Sequence, residues 1–283
     1  MNALEKLNEV ALILGREELH SPAKDAELII VHSLGISRET LFRDNPVIDK
    51  KTSDHIDALV FRRLMGEPVQ YIVGEVEFYG LRIRVGGGVL IPRPETELLV
   101  DEVLKAGIGG QGSGGGKKIK ILDLCTGSGC IALALASKNP AFEVLATDNS
   151  DEALKYAREN AGINSIRNAR FLRGNLFEPV QGMKFDIIVS NPPYIRTSEI
   201  PDLQEEICNW EPVNSLDGGE DGLDYYRMII ASLGNYLLPG GKCFFEVGWD
   251  QGDALTELAR NYGLRSEFKK DYSGHDRIMM LSF

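Results

Sequence analysis

The sequence predicts an α/β fold in which a doubly wound parallel sheet follows a small bundle of helices. From residue 119 onward, short apolar strands alternate with amphipathic helices, which is the pattern of βα units in a parallel sheet. Residues 1–70 carry only helical periodicity, with Leu4, Leu7 and Val10 on one face. The 283 residues are enough for one large domain or two smaller ones.

The composition is that of a soluble globular protein, with 43% apolar and 26% charged residues. The net charge of −11 and the lack of a Lys/Arg cluster argue against binding to nucleic-acid phosphates. Cys125, Cys130, Cys208 and Cys243 lack the spacing of metal ligands or of CxxC pairs. We therefore expect reduced thiols in a cytoplasmic protein and no metal site. The N-terminus is a charged amphipathic helix rather than a signal peptide, and no apolar run is long enough to span a bilayer.

The first 70 residues predict short helices that we interpret as a packing or docking module. Ser21-Pro22 is typical of an N-cap followed by the first turn of a helix, which stops at Gly35. Ser37 predicts the cap of another short helix, and a longer helix ends at Gly66.

Residues 71–92 predict a β-hairpin that links this bundle to a larger domain, residues 93–283. The stretch 69–85 has strand character, and Gly80 lies at a plausible turn. The segment Pro92-Arg93-Pro94 and the acids after it have an ordinary interpretation as charges at the start of a helix. Their rigidity also suits a fixed wall beside a site.

The elements of the α/β part follow a glycine-rich stretch, residues 107–116, which we predict to be a flexible loop. The predicted strands are 119–124, 143–147, 169–172, 185–190, 242–247 and 277–283. The predicted helices are 131–137, 152–162, 225–238 and 254–262.

A glycine-rich turn follows the first of these strands. Gly127 and Gly129 let the backbone turn tightly and approach a ligand at the N-terminus of the next helix. Asp148 ends the second strand, where its carboxylate can accept hydrogen bonds from two ribose hydroxyls. This pattern fits a dinucleotide site as well as an S-adenosylmethionine site. We favour S-adenosylmethionine because Asp123 can face the cationic end of that ligand, and because hydride transfer has no evident use for the loop after the fourth strand.

That loop is Asn191-Pro192-Pro193-Tyr194. The two prolines end the strand and remove two backbone donors, and ligands of open α/β sheets bind at this edge. A carboxamide nitrogen is a poor nucleophile, so the useful strategy is to position it. Asn191 Oδ1 and the Pro192 carbonyl can accept its two N–H bonds while Tyr194 packs on the amide plane. The scheme requires neither a metal nor a general base, and the alternative is a purely structural turn.

Together these residues resemble the HemK/PrmC family, the protein-glutamine N5-methyltransferases that modify peptide chain release factors. The resemblance covers nearly the whole chain and includes LIPRPETELL from Leu90, ILDLCTGSGCIALALA from Ile121, NPPYI from Asn191 and PGGKCFFEVGWDQG from Pro239. It implies a class I, Rossmann-like S-adenosylmethionine-dependent methyltransferase sheet, with S-adenosylhomocysteine as the product. It also implies that the helical domain helps to dock the release factor, whose target glutamine lies in a Gly-Gly-Gln motif.

We therefore expect Asn191, Pro192, Pro193 and Tyr194 to be the catalytic and substrate-binding residues. The expected cofactor-binding residues are Asp123, Cys125, Thr126, Gly127, Ser128, Gly129, Asp148, Asn175, Leu176 and Asn191. Two of them depart from the family pattern, because Cys125 stands where a glycine is often found and Asn175 stands where an acid is common. Asn175 can bond to an adenine edge or serve as a simple turn residue.

Two other functions remain as alternatives. Asn-Pro-Pro-Tyr is shared with adenine-N6 methyltransferases that act on DNA or RNA, although the acidic charge and the missing basic stripe disfavour them. A non-catalytic binding module is disfavoured because the motif residues are all present. We expect a monomer that binds release factors and neither nucleic acid nor membranes. A weaker hypothesis is that Gly109-Gly110-Gln111, which repeats the Gly-Gly-Gln tripeptide, acts as a pseudo-substrate.

Overall fold

The structure, a computed structural model, describes three ranges of the chain: 1–16, 21–109 and 118–283. They form two compact units, one of residues 1–75 with 204–210 and the other of residues 76–203 with 211–283. Within the described ranges no helix is both long and apolar enough to cross a membrane.

Helices occur throughout both units. They are α1 (Ala3–Leu14), α2 (Pro22–Leu34), α3 (Arg38–Asp44), α4 (Lys50–Leu64), α5 (Val69–Val73), α6 (Thr96–Gly109), α7 (Cys130–Lys138), α8 (Asp151–Ile163), α9 (Glu205–Cys208), α10 (Asp224–Tyr236) and α11 (Gly252–Asn261). The strands are β1 (Glu75–Phe78), β2 (Leu81–Arg84), β3 (Ile119–Leu124), β4 (Phe142–Asp148), β5 (Ala169–Arg173), β6 (Phe185–Ser190), β7 (Leu237–Glu246), β8 (Arg265–Lys270) and β9 (Asp276–Ser282).

Local capping signals explain where the helices of the first unit begin and end. Ser37 caps α3 by accepting a hydrogen bond from the Thr40 N–H, and Gly35 ends α2 with left-handed backbone at φ 61°, both as predicted. Ser21 is the N-cap of α2 and Pro22 is its first residue, as predicted, although the Ser21 side chain makes no capping hydrogen bond.

The strand predicted from residue 69 onward is wrong for its first residues, because Val69–Val73 form the helix α5. Its buried residues are Val69, Tyr71 and Ile72, and Gly74 ends the helix with φ 82°. Proline before the segment and glycine after it confine these apolar, β-branched residues to a single helical turn.

Residues 204–210 belong to the first unit through a buried arginine. The Arg63 side chain is 4% exposed, and its guanidinium lies 2.7 Å from Asp25 Oδ2 and 2.8 Å from Glu206 Oε2. A buried guanidinium needs such partners because an unpaired charge away from water is strongly destabilising. The sequence did not indicate this cluster, since Glu206 is far from Arg63 along the chain.

The second unit is built on a seven-stranded sheet with the order β5-β4-β3-β6-β7-β9-β8. The first five strands in this order are parallel, whereas β9 is antiparallel to both β7 and β8. The prediction of a wholly parallel sheet is therefore wrong at this edge. β8 was missed because its sequence RSEFKK has one large apolar residue and lies at the sheet edge, where a strand needs little apolar character.

The register of the central strands brings their carboxyl ends together. Leu124 of β3 pairs with Thr147 of β4 on one side and with Ser190 of β6 on the other, and Ser190 pairs with Phe245 of β7. The residues that follow these positions, including Asn191, therefore emerge along one edge of the sheet.

Two predicted element boundaries differ from the structure. Residues Gly107–Gly109 end α6 rather than opening a loop, and the rest of the glycine-rich stretch, with Gly110-Gln111, lies outside the described residues. β7 starts at Leu237, before Pro239, so the preceding helix ends at Tyr236.

The strands β1 and β2 form a two-stranded sheet that turns through Tyr79 and Gly80, both left-handed, at φ 53° and 77°. Two asparagines of α8 extend the hydrogen bonding of β2. Asn160 accepts from the Arg84 N–H at 2.7 Å and donates to the Arg84 carbonyl at 3.1 Å. Asn164 makes the same pair of bonds to Arg82, at 3.2 and 2.7 Å. Asn160 is fully buried, whereas Asn164 is partly exposed.

We expect Asn160→Ala to lower the free energy of unfolding by about 2–4 kcal/mol, because it removes the two bonds to Arg84 and leaves the buried Ser128 carbonyl, to which Asn160 donates at 3.0 Å, without this partner. Asn164→Ala removes the corresponding bonds to Arg82 and one to the Asn160 carbonyl at a partly exposed position where water can replace them, so we expect a loss of about 1 kcal/mol or less. Urea unfolding followed by circular dichroism measures both. Equal losses would contradict the burial argument.

Candidate active site

A cleft opens at the carboxyl edge of the sheet in the second unit. It encloses about 860 Å³, part of which is open to solvent, a size typical of ligand sites. Its walls come from the segment before α6, the loops after β3, β4, β5 and β6, and residues 212–215.

The loop after β3 is folded against the end of β4. The Gly127 N–H donates to Asp148 Oδ2 at 2.9 Å, and the Gly129 N–H donates to the Thr126 carbonyl at 2.9 Å. Gly129 has φ 80°, and a Cβ there would lie 3.0 Å from the Ala157 Cβ, so only glycine fits this position without strain. This close contact with α8 therefore fixes the turn by which the loop enters α7.

Asp148 lies at the tip of β4 and lines the cleft. Besides the Gly127 N–H, its carboxylate accepts a hydrogen bond from the Ser150 N–H at 2.9 Å. Burial raises the pKa of Asp148, and these backbone donors oppose the rise. Each oxygen keeps a lone pair for a ligand, which suits the binding of adjacent hydroxyls.

Asp123 does not line the cleft, although we expected it to face the ligand. It is fully buried, and its Oδ2 accepts a hydrogen bond from the Thr126 hydroxyl at 2.6 Å. Within the described residues, Oδ1 has no hydrogen-bond partner. Burial raises the pKa of Asp123 from 3.8 to about 7, because the charged form is poorly solvated.

Two cysteines flank this loop. Cys125 has left-handed backbone at φ 59°, which accounts for the glycine expected there from the family pattern. Burial raises the pKa of both thiols, that of Cys130 to about 12. Neither is therefore a thiolate nucleophile at neutral pH.

The Asn191-Pro192-Pro193-Tyr194 loop is held by hydrogen bonds to its backbone. Gln251, 3% exposed, donates to the Tyr194 carbonyl at 2.9 Å and accepts from the Gly248 N–H at 2.9 Å. Gly218 packs so closely that a Cβ would lie 2.7 Å from the Tyr194 Cα. Gln251 and Gly218 therefore fix the backbone of the loop at Tyr194.

Side chains of the loop connect to a buried acid at the end of β7. Glu246 Oε1 lies 3.3 Å from the Tyr194 hydroxyl, and Oε2 accepts from the Thr96 hydroxyl at 2.7 Å. Thr96 Oγ1 in turn lies 3.4 Å from Asn191 Nδ2. Desolvation, and after it Glu246, raises the pKa of Tyr194. Thr96, Glu246 and Gln251 are not among the residues expected from the sequence, although the acid at the end of the apolar run before Val247 is a visible signal.

The segment from Leu90 to Arg93 forms part of the cleft wall. Glu211, whose side chain is 1% exposed, pairs with Arg93 and accepts from the Ile91 N–H at 3.1 Å. This ion pair joins the proline-bounded segment to residues 212–215, which also line the cleft. Of the two interpretations of Pro92-Arg93-Pro94, the rigid wall beside a site describes its position better than charges at the start of a helix.

Most of the expected site residues meet at this cleft. Those in its lining are Cys125, Thr126, Gly127, Ser128, Asp148, Asn175, Leu176, Asn191 and Pro193. Those outside its lining are Asp123, Gly129, Pro192 and Tyr194. Lining residues that we did not anticipate include Gly88, Val89, Thr96, Asn149, Ser150 and Tyr225. Within the described residues no group of three or more His, Cys, Asp or Glu could hold a metal ion.

Comparison with known proteins places the chain among methyltransferases. Residues 95–210 match the model of the methyltransferase small domain, and residues 5–74 match that of the PrmC N-terminal domain. The release factor glutamine methyltransferase of Thermodesulfovibrio yellowstonii is 44% identical and covers 99% of this chain and 98% of its own length. The enzyme of that name from Vibrio cholerae is 40% identical, with 96% and 95% covered. The chain belongs to the release factor glutamine methyltransferase family.

The fold agrees with this membership. The solved structure of the human methyltransferase 10 domain containing protein superposes with a TM-score of 0.54 at 20% identity and covers 72% of this chain and 89% of that one. The expected class I methyltransferase fold is thereby confirmed, with the helical N-terminal region of the family ahead of it.

The buried Asp123 makes the stability of the protein depend on pH. A carboxyl whose pKa is raised in the folded state stabilises the fold most below its unfolded pKa, here 3.8, and loses that contribution as the pH rises through the folded value of about 7. Asp123→Asn lacks this dependence. Between about pH 5 and about pH 8 we expect the unfolding free energy of the unsubstituted protein to fall by about 2–3 kcal/mol relative to the variant. Urea unfolding at both pH values measures this, and a constant difference would contradict it.

Proposed function

We propose that this protein transfers a methyl group from S-adenosylmethionine to the side-chain amide nitrogen, N5, of the glutamine in the Gly-Gly-Gln motif of peptide chain release factors. The observation that carries the proposal is the position of the Asn191-Pro192-Pro193-Tyr194 loop, next to a cleft whose other walls suit a nucleoside. The names of relatives at 44% and 40% identity over nearly the full length support the same substrate.

The residues of the cleft fit S-adenosylmethionine. Asp148 has lone pairs left for ribose hydroxyls, and Gly127, which lines the cleft, has no side chain to keep a ligand away from its backbone. Asn175 and Leu176 line the side from which an adenine is expected to bind. When bound, the cofactor supplies a sulfonium methyl, a strong electrophile.

The loop after β6 supplies two acceptors for the target amide. Within the described part of the chain no donor reaches the Pro192 carbonyl or Asn191 Oδ1, so both remain available for the two N–H bonds of a glutamine side chain. Holding the amide nitrogen in line with its methyl donor supplies rate enhancement by proximity, which reaches about 7–11 kcal/mol in the best intramolecular cases. The rigid, proline-bounded backbone keeps this geometry without reorganisation.

The remaining assignments extend the same proposal. The helical unit, roughly residues 1–70, docks the release factor, residues 71–92 link it to the methyltransferase domain, and residues 93–283 carry the chemistry. The enzyme acts as a monomer in the cytoplasm and contacts neither nucleic acid nor membranes directly. The free thiols of all four cysteines agree with a reducing compartment.

Labelled S-adenosylmethionine, a purified release factor and its Gln→Ala variant test the proposal. We expect label on the release factor and none on the variant. Asn191→Ala should lower kcat by about a hundredfold or more, because the nitrogen loses its side-chain acceptor. Label on both release factors, or transfer to adenine in oligonucleotides instead, would refute the assignment.

Cofactor binding is tested separately on Asp148. Asp148→Ala should weaken the binding of S-adenosylhomocysteine, measured by calorimetry, by about tenfold to a hundredfold, since charge-assisted hydrogen bonds are worth about 1.5–3 kcal/mol. Asp151→Ala is the matched control, because this acid lies nearby on α8 but outside the cleft lining and pairs with Arg173. Equal affinities of the two variants would contradict the role of Asp148.

A further inference from the structure

The side chain of Asn191 is tied to a buried carboxylate by a chain of hydrogen bonds. Asn191 Nδ2 lies 3.4 Å from Thr96 Oγ1, which lies 2.7 Å from Glu246 Oε2. Thr96 and Glu246 are each only 2% exposed. The three residues come from the loop after β6, the first turn of α6 and the last position of β7.

The direction of donation along this chain follows from the hydrogens available. An ionised Glu246 can only accept hydrogen bonds. The hydroxyl of Thr96 donates to its Oε2, and the hydroxyl of Tyr194 donates to its Oε1. Burial raises the pKa of Glu246, while the Thr96 hydroxyl, the Arg277 charge and the Tyr194 hydroxyl oppose the rise. Because the one hydroxyl proton of Thr96 goes to the carboxylate, its oxygen is left to accept the N–H of Asn191.

We propose that Thr96 and Glu246 are positioning residues that keep Asn191 Oδ1 turned toward the substrate amide. This inference rests on the proposed function. Because Nδ2 donates its hydrogen bond to Thr96, Oδ1 is the atom that faces the N–H of a substrate amide. An amide turned the other way would set two donors against each other.

Glu246 fixes the far end of the same loop as well. Its Oε1 is the partner of the Tyr194 hydroxyl, and its own carbonyl accepts from the buried Tyr226 hydroxyl at 2.7 Å. One carboxylate therefore sets the orientation of Asn191 through Thr96 and holds the ring of Tyr194 directly. Both ends of the loop depend on it.

Two nearly isosteric substitutions test the assignment. Thr96→Val removes the hydroxyl, and Glu246→Gln replaces one of the two acceptor oxygens with a donor, so that Thr96 and Tyr194 can no longer both donate to this side chain. We expect each to lower kcat for release factor methylation by about tenfold to a hundredfold, as for small misplacements of a reacting group. The KM for the release factor and the affinity for S-adenosylhomocysteine should change by less than about threefold. Both report ground-state binding, whereas the alignment of the amide nitrogen matters mainly in the transition state.

Matched variants separate positioning from a general loss of structure. Thr96→Ser keeps the hydroxyl and should restore most of the activity. Thr256→Val removes a threonine hydroxyl that bonds to the Gly252 carbonyl at 2.8 Å on α11, away from the cleft, and should leave kcat unchanged.

A double-mutant cycle tests whether Thr96 acts through Asn191. Single-turnover rates should show that Thr96→Val costs less than about twofold once Asn191 is alanine, since the group that it orients is gone. An additive loss, or a Thr96→Val enzyme as fast as the unsubstituted one, would overturn the positioning role.

A spectroscopic measurement keeps this test independent of the proposed function. The side-chain amide resonances of Asn191, assigned by their loss in Asn191→Ala, should shift in Thr96→Val and in Glu246→Gln but not in Thr256→Val. Unshifted resonances would overturn the positioning role even if methylation is observed. If the unsubstituted protein methylates no release factor, the proposed function fails, whereas shifted resonances would still support the hydrogen-bond chain.

Discussion

The reversal of strand order at β3 determines where the cleft of the second unit lies. From β3 the chain first builds outward through β4 and β5, and then returns to add β6 and β7 on the other side. The loops that leave the adjacent strands β3 and β6 therefore diverge, and a crevice opens between them. One loop brings the glycine-rich turn and the other brings Asn191. The sheet thus places these two loops on either side of one opening before any side chain is considered.

Three buried acids lie along this edge of the sheet, each at or near the end of a strand. Asp123, Asp148 and Glu246 lie at or near the carboxyl ends of β3, β4 and β7, and burial raises the pKa of each. The three carboxylates differ in the groups that donate hydrogen bonds to them. Asp123 takes the Thr126 hydroxyl, Asp148 takes backbone N–H groups, and Glu246 takes two hydroxyls. Asp123, whose Oδ1 has no hydrogen-bond partner among the described residues, is the least satisfied of the three, and Asp148, which lines the cleft, keeps lone pairs for a ligand.

The parts of the fold that could be predicted from the sequence are those with local signals. Apolar runs identified the five parallel strands, and glycine or proline near their ends identified the loops at their tips. β8 escaped because an edge strand needs little apolar character, and α5 because one turn of helix offers no periodicity to distinguish it from a strand. The acidic charge, the helical N-terminus and the segment from Pro92 to Glu97, rather than the Asn191 loop alone, decided between glutamine and adenine as the expected target.

Contacts between distant positions could not be predicted. Thr96 meets Glu246 across 150 residues, and Asn160 meets Arg84 across 76. Nothing in either local sequence marks such a partner, because a buried hydrogen bond is specified by three-dimensional packing. For the same reason the sequence predicted Asn191 Oδ1 as an acceptor but did not indicate Thr96, the partner that holds Nδ2.

The same hydrogen-bond logic explains why the loop by itself does not select the substrate. A side-chain acceptor, a main-chain acceptor and an aromatic ring suit any amino group conjugated to a π system, which includes glutamine and adenine alike. Selection must then come from what surrounds the loop. The wall that faces it is made rigid by Glu211, which binds Arg93 and the Ile91 N–H and so fixes two lining segments to each other. Because Glu211 holds these two segments together, the shape of the cleft is fixed before a ligand binds, and we therefore expect that shape, rather than the loop, to choose between substrates.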